Sequence, residues 1–386
     1  MRSWKVYTLS AAVFSLAAIS FFSGEAASGE TLNAYIGTYT RGDSEGIYRL
    51  TLDVDGDSIK SKKLELVAKT DNPSFVALHA DGKHLYAVGE LGTFEGKPSG
   101  AVHAFAIKDD RSLDLINTQP SLGGAPCHLV VDKTGKHVLV ANYSGGNVIS
   151  LPIKDDGGLG PATSNIQHEG SSVLPRQKGP HAHSINLDAG NRFAFAADLG
   201  LDKVLIYKFD EKTGKLTPND PAFAKVEPGS GPRHFAFHPD GDRAYVINEI
   251  ALTVTAFKYD AERGELKSTQ TISTIPEDIT DRKGFSTAEV QVHPGGKFVY
   301  GSNRGHDTIA VFSLDDAGKL TRVQNQPIHG KTPRNFGIDP SGNYLLALGQ
   351  SSDTISVFRI DQETGKLSLI GEPFAVPSPV CVKFVQ

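Results

Sequence analysis

The sequence predicts an all-β chain closed into a seven-bladed β-propeller, and three observations carry that prediction. A tight-turn glycine recurs at Gly82, Gly135, Gly190, Gly241, Gly296 and Gly342, with spacings of 53, 55, 51, 55 and 46 residues. Self-similarity at such a period is the mark of a repeat architecture. Each turn is flanked by short apolar or alternating stretches of strand character. The two chain ends carry complementary pieces of one further unit, which brings the count to seven.

The elements follow in order. Arg2 and Lys5 precede an apolar stretch from about Val6 to Phe22 and the small-residue segment Ser23-Gly24-Glu25-Ala26-Ala27-Ser28. This succession of basic, apolar and small residues reads as a signal peptide over residues 1–27, leaving 28–386 as the folded domain. The apolar run is short of the ~20 residues that cross a bilayer, and Ser10, Ser15 and Ser20 dilute it. Export to the periplasm or the cell exterior is therefore expected, with no stable membrane insertion after cleavage.

Residues 33–39 and 46–50 then read as a second and third strand without a first. Residues 379–384 supply the missing one, so the last strand closes the ring against the first and leaves no inner sheet edge exposed. In each internal unit a strand such as 235–238 leads into the turn and another such as 244–247 leaves it. A third strand (204–209, for example) and a turn such as Lys212-Thr213-Gly214-Lys215 lead to a fourth. Four antiparallel strands per unit make a propeller blade. The turns use Asp, Pro and Gly because those residues fit tight-turn geometry.

Composition narrows the partners. Thirty-nine Lys+Arg against 44 Asp+Glu give a net charge of −5. Long runs of one sign are missing, so no nucleic-acid partner is expected. Cys127 and Cys381 fall outside any zinc-like spacing and in blades separated by another blade, so both are predicted to be free thiols.

Counting from the turn glycine locates a candidate site. The residue seven before it, at the start of each innermost strand, is Phe75, His128, His183, His234, Glu289 or Asn335, with Cys381 equivalent in the closing blade. The residue eight after it is Glu90, Tyr143, Asp198, Glu249, Arg304 or Gln350. Antiparallel pairing sets these positions side by side at the end opposite the turn, ringing the central channel. A repeating frame with non-repeating polar tips in a concavity points to a ligand site. His79, His238 and His293 before the turn, and His84 and His137 after it, are expected to tie down turns on the opposite face.

The chain also resembles the seven-bladed propeller lactonases, a family that includes bacterial 6-phosphogluconolactonase and the fungal carboxymuconate-lactonizing enzyme. The resemblance spans the mature chain and rests on Tyr35-Ile36-Gly37-Thr38-Tyr39-Thr40, Asn72-Pro73-Ser74-Phe75, Ala141-Asn142-Tyr143, Gly179-Pro180-His181-Ala182-His183, Gly231-Pro232-Arg233-His234, Ile247-Asn248-Glu249, Ser302-Asn303-Arg304-Gly305 and Pro333-Arg334-Asn335-Phe336. It implies hydrolysis of a lactone at the channel mouth, with His183, Arg233, Glu249 and Arg304 as the catalytic cluster. His128, Asn142, His234, Glu289 and Asn335 are the expected substrate-binding neighbours.

The residue types suit that chemistry, which needs a base to activate water, a donor for the oxyanion and an acid for the leaving alkoxide. Either Glu249 or His183 can be the base. Arg233 and Arg304 suit a substrate carboxylate or phosphate as well as an oxyanion. A Gly-x-Ser-x-Gly elbow is missing from the sequence. No cofactor and no metal are expected. Glu90, Asp198, Glu249 and Asn142 could offer oxygen ligands to Ca²⁺, but the arginines beside them oppose a cation.

The expected partner is a small-molecule lactone, met by a monomer. Export to a compartment poor in sugar phosphates leaves a non-phosphorylated sugar lactone or another carboxylated lactone as alternatives. A muconate-type lactonizing cycloisomerase and a non-catalytic binding module are the competing functions, since the architecture alone fixes none.

Overall fold

Strand alternation decides the architecture. The computed structural model describes residues 1, 2, 4 and 29–385 and contains seven four-stranded antiparallel sheets. Apart from residues 1, 2 and 4, the signal peptide read over 1–27 lies outside the described residues. The innermost strands of blades 1 to 7 are Pro379–Phe384, Val76–Leu78, Pro126–Val131, Ala182–Leu187, Pro232–Phe237, Ser286–Val292 and Pro333–Ile338. Consecutive innermost strands touch, and blade 7 meets blade 1 to close the ring. In blade 1 the C-terminal strand pairs with Glu30–Thr38, Ile36 facing Val382, as the sequence predicts.

The core lies between blades. Phe195 of blade 4 stacks on Phe235 of blade 5 with ring centroids 5.5 Å apart. Tyr35, Tyr86 and Tyr300 are fully buried and donate to the carbonyls of Arg111, Gly157 and Gly365, each on the next blade. A buried phenol keeps its apolar ring in the core while its hydroxyl finds a partner.

The pre-turn histidines do pin turns, but across the blade boundary. Nε2 of His79, His238 and His293 donates to the carbonyls of Gly135, Gly296 and Gly342 at 3.0, 2.7 and 2.9 Å, each the turn glycine of the following blade. His84 bonds within its own turn to Asp81, whereas His137 sets its ring edge-on to Phe209 at 5.7 Å. Both cysteines are free and buried, as predicted. No helix among the described residues is long and apolar enough to cross a membrane.

One register count is corrected by the structure. In five turns the left-handed residue is the glycine expected, at Gly82, Gly135, Gly241, Gly296 and Gly342. In blade 4 it is Asn191, at φ 56°, and Gly190 is not left-handed. The Asn191 amide bonds the Asp188 carbonyl just as the Gly241 amide bonds that of His238. Asn is the residue other than Gly that tolerates this backbone. Every position counted from Gly190 therefore moves by one, which changes the tier on which His183 and Asp198 sit.

Candidate active site

The site is built from one irregularity repeated around the ring. At the start of each innermost strand in blades 3, 4, 5 and 7 the pairing skips a residue, namely Cys127, His183, Arg233 and Arg334. A residue left out of the ladder is re-aimed relative to its neighbours. Counted from the true turn residue, all four stand eight positions before it. Beside them, just at or past the end of each second strand, stand Tyr39, Glu90, Tyr143, Glu249 and Arg304.

These two sets meet on the Glu249 carboxylate. Its Oε2 lies 2.9 Å from Arg233 Nε and 2.9 Å from Arg304 Nη2, and its Oε1 lies 2.7 Å from Arg176 Nη1. His183 Nε2 approaches Oε2 to 4.0 Å. Backbone carbonyls of blade 6 aim both strand-borne guanidiniums: Arg233 Nη1 donates to Ala288 at 2.6 Å and Arg304 Nη2 to Thr287 at 2.8 Å. Glu249 is 3% exposed and Arg176 50%, so the cluster opens to solvent on the Oε1 side. Arg304 Nε is buried without a hydrogen-bond partner, a donor left over.

A second acidic group, Glu90, accepts from Tyr39 at 2.9 and 2.8 Å and from Ser74. Arg334 stacks its guanidinium 5.3 Å from the Tyr39 ring centre and makes no side-chain hydrogen bond or ion pair among the described residues. Arg176 comes from elsewhere, on the short 3-10 turn Pro175–Gln177 in the link between blades 3 and 4. Buried Gln177 anchors that turn, donating to the Leu199 carbonyl and to Asp202 at 2.8 Å each. The Arg176 fork also donates to the Tyr143 hydroxyl, whose ring stacks on His181 at 4.5 Å.

Charge sets the protonation states. Burial pushes the Glu249 carboxyl up, but Arg304, Arg233, Arg176 and Arg334 together outweigh it and hold the group at about 2. Burial, followed by the Arg233 charge, drives His183 well below the usual imidazole range, so it is neutral at pH 7. Burial and then Arg334 and Arg304 bring Arg233 down to about 9, still protonated at neutral pH. Four cations around two carboxylates leave the pocket with an excess of about two positive charges.

That arrangement can bind an anionic group, steady an oxyanion and hold a carboxylate next to water, and its scaffold is shared. A profile described as "Lactonase, 7-bladed beta-propeller" matches residues 33–384. The chain belongs to the seven-bladed β-propeller lactonase family. It is 39% identical over 355 residues to a Bacillus subtilis 6-phosphogluconolactonase, covering 91% of this chain and 98% of that one. A 6-phosphogluconolactonase of Formosa agariphila is 34% identical over 326 residues, covering 82% of this chain and 90% of the relative. Among solved structures, the Pseudomonas aeruginosa periplasmic gluconolactonase superposes with a TM-score of 0.85 at 32% identity, over 92% of this chain and 99% of that one.

In this lactonase the four residues expected to be catalytic, His183, Arg233, Glu249 and Arg304, are brought together. The expected substrate-binding set stands apart from Glu249. His128, His234, Glu289 and Asn335 occupy the neighbouring position, seven before the turn, and face the other half of the channel. There His234 Nδ1 lies 3.0 Å from Glu289, which Asn335 also contacts. With Phe75 and Lys383, His128, His234 and Glu289 line a cavity of about 420 Å³ that runs toward the turns.

Asn142 and Asp198 sit one position before the site tier and point into the blade wall. The Asn142 amide donates to the Ser121 carbonyl at 2.9 Å. Asp198 accepts from the amides of His181 and Gly200 and pairs with His168. Neither joins Glu90 and Glu249, so the Ca²⁺ ligand set weighed from sequence is not assembled. His79-Asp81-His84 and His238-Asp240-Asp242 group ligand atoms closely enough for a metal, but on the turn face.

Sequence reasoning missed Arg334, Tyr39 and Arg176. Arg334 stands at the offset of Arg233, so the register carried its signal. Tyr39 is the closing blade's counterpart of Glu249, hidden because that blade is split between the termini. Arg176 lies in a link outside the repeat, where no register reaches.

Proposed function

We propose that the mature domain, residues 28–386, is an exported monomeric lactonase that hydrolyses a sugar or carboxylated lactone bearing an anionic substituent. The observation that carries this reading is the convergence of three guanidiniums on one buried carboxylate at the channel mouth, with a fourth, Arg334, unpaired nearby and Arg304 Nε unpartnered. An excess of positive charge in a partly dry pocket favours an anion, and a fork-shaped donor suits carboxylate or phosphate. The names of the relatives favour a gluconolactone skeleton. The basic, apolar and small residues at the N-terminus, together with the periplasmic relative, support export.

In the mechanism Glu249 is the base and Oε1 its working edge. Oε2 is fixed by two strand-borne arginines, whereas Oε1 meets only Arg176, which comes from a link and is half exposed. Water loses a proton to Oε1 as its oxygen bonds to the lactone carbonyl carbon. The resulting oxyanion takes the free Arg304 Nε donor, and Arg334 holds the anionic substituent. When the intermediate collapses, the ring C–O bond breaks and Glu249 returns the proton to the alkoxide. The product is the open hydroxy acid. Neutral His183 lies 4.0 Å from Oε2 and takes no proton.

The test is acid release from gluconolactone and its 6-phosphate against spontaneous hydrolysis. The wild type accelerates at least one, and Arg304→Ala loses about 10²–10³ in kcat while remaining folded. Conversion of a carboxymuconate without hydrolysis would move the chain to the cyclases. Tight glycan or protein binding with no turnover of either lactone would make it a binding module. Intact mass of the exported protein, expected to begin near Ser28, checks the leader.

A further inference from the structure

Arg176 differs from the other three arginines in every respect that bears on motion. It sits on a link rather than a strand, it is half exposed, and it is the sole partner of Oε1 among the described residues. Its remaining donors reach only the Tyr143 hydroxyl, at 3.1 and 2.9 Å, on an aromatic pair at the pocket rim. Arg233 and Arg304, by contrast, are locked to blade 6 carbonyls. The contact that keeps Oε1 from water is thus the one most easily released.

We propose that Arg176 is a substrate-operated gate: in the free enzyme it caps Oε1 of Glu249, and when an anionic lactone binds it passes to the substrate's anionic group and uncovers that oxygen. The proposal rests on the lactonase reading and deepens it, because it makes the anionic substituent a condition for catalysis rather than a handle for binding alone. A neutral lactone of the same ring would leave the gate shut and meet a carboxylate occupied on both oxygens.

The charges around Glu249 make the exchange effective. Facing it are Arg233 of blade 5, Arg304 of blade 6, Arg334 of blade 7, His183 of blade 4 and Arg176 of the link. The imidazole is neutral and Arg233 and Arg304 are tied to blade 6 carbonyls, so of the three cations in contact with the carboxylate only Arg176 can withdraw without breaking a bond to a blade. Withdrawing an opposite charge from contact raises a carboxyl pKa by about 1–3 units. Since Arg176 is half exposed and partly screened, the low end, about one unit, is expected.

Two measurements test this with wild type and Arg176→Gln. First, NMR titration of ¹³C-labelled Glu249 in the free protein should place the variant about one unit above wild type. Adding 6-phosphogluconate should raise the wild-type titration by more than that of the variant, where only the ligand's own charge acts. Second, kcat/KM for the phosphorylated lactone should fall roughly 10–100-fold in the variant, the loss expected for one charge-assisted contact, while that for gluconolactone should rise, because Oε1 is then uncapped without a ligand.

An unmoved Glu249 titration, or equal losses on both lactones, overturns the gate. So does a ligand response as large in Arg176→Gln as in wild type. Absence of turnover of any lactone by the wild type would instead overturn the lactonase reading, and the titration with 6-phosphogluconate would still decide the gate. Arg176→Lys, which keeps the charge but not the fork, should restore most of the Glu249 titration and little of the substrate preference.

Discussion

Replacing Glu249 by Gln removes the one negative charge that three arginines contact while keeping the shape of the side chain. The folded-state carboxyl falls from 4.5 to about 2. At about 1.4 kcal/mol per pH unit, that is roughly 3 kcal/mol of stabilisation. The group is almost wholly buried, so solvent screening takes little from this figure. Breaking a buried ion pair by removing one partner costs about 3–5 kcal/mol, which agrees.

The sign follows from the direction. Because the folded carboxyl titrates below the unfolded one, its contribution is complete above about pH 4.5 and drains away as the pH falls toward 2. Urea unfolding from pH 7 to pH 2 should therefore show Glu249→Gln less stable than wild type by about 3 kcal/mol at neutrality, with the gap closing in that acid window. Other depressed carboxyls, such as Asp81 and Asp132, titrate in both proteins and cancel in the difference. A gap that stays constant from pH 7 to pH 2 would refute the electrostatic account and leave packing as the cause.

Three further outcomes are expected. His238→Ala, which removes the bond to the Gly296 carbonyl, should cost about 1–3 kcal/mol in urea and leave kcat unchanged, since it lies on the turn face. Truncation before Pro379 removes the innermost strand of blade 1 and should leave no single cooperative unfolding transition when the chain is followed by circular dichroism. Gly200→Ala would set a Cβ 1.9 Å from the Gly179 carbonyl, beside the link that carries Arg176. It should lower the melting temperature and raise KM, with a stability loss of about 1–3 kcal/mol.

The repeat, the blade count and the ring closure were legible because each depends on local signals: a turn residue at a fixed period, and strands of period two on either side. Closure followed from arithmetic on the termini. The four residues expected to be catalytic were legible chiefly through the family resemblance, because the glycine count placed His183 one step from its true tier. The error has a plain cause. Asn191 can hold the left-handed backbone that the other turns give to glycine, so the visible Gly190 was a false origin. Counted from Asn191, His183 becomes the counterpart of Arg233 and Arg334, and its approach to Glu249 is explained.

A one-residue step matters this much because the skipped pairing at the inner strands of blades 3, 4, 5 and 7 divides the channel in two. Arg233 and His234 are adjacent in sequence, yet one holds Glu249 at the mouth and the other pairs with Glu289 in the half that runs toward the turns. Without the skip, regular alternation would turn one of each such pair toward the blade wall. Burying Arg233 and Arg304 is costly unless a carboxylate lies between them, and Glu249 can serve only if its own blade and blade 6 stand side by side at the channel. Blade order and the electrostatics of the mouth are thus one constraint. A repeat unit inserted between blades 5 and 6 would leave Glu249 without the carbonyls that aim its arginines, and would abolish activity even in a ring that still closed.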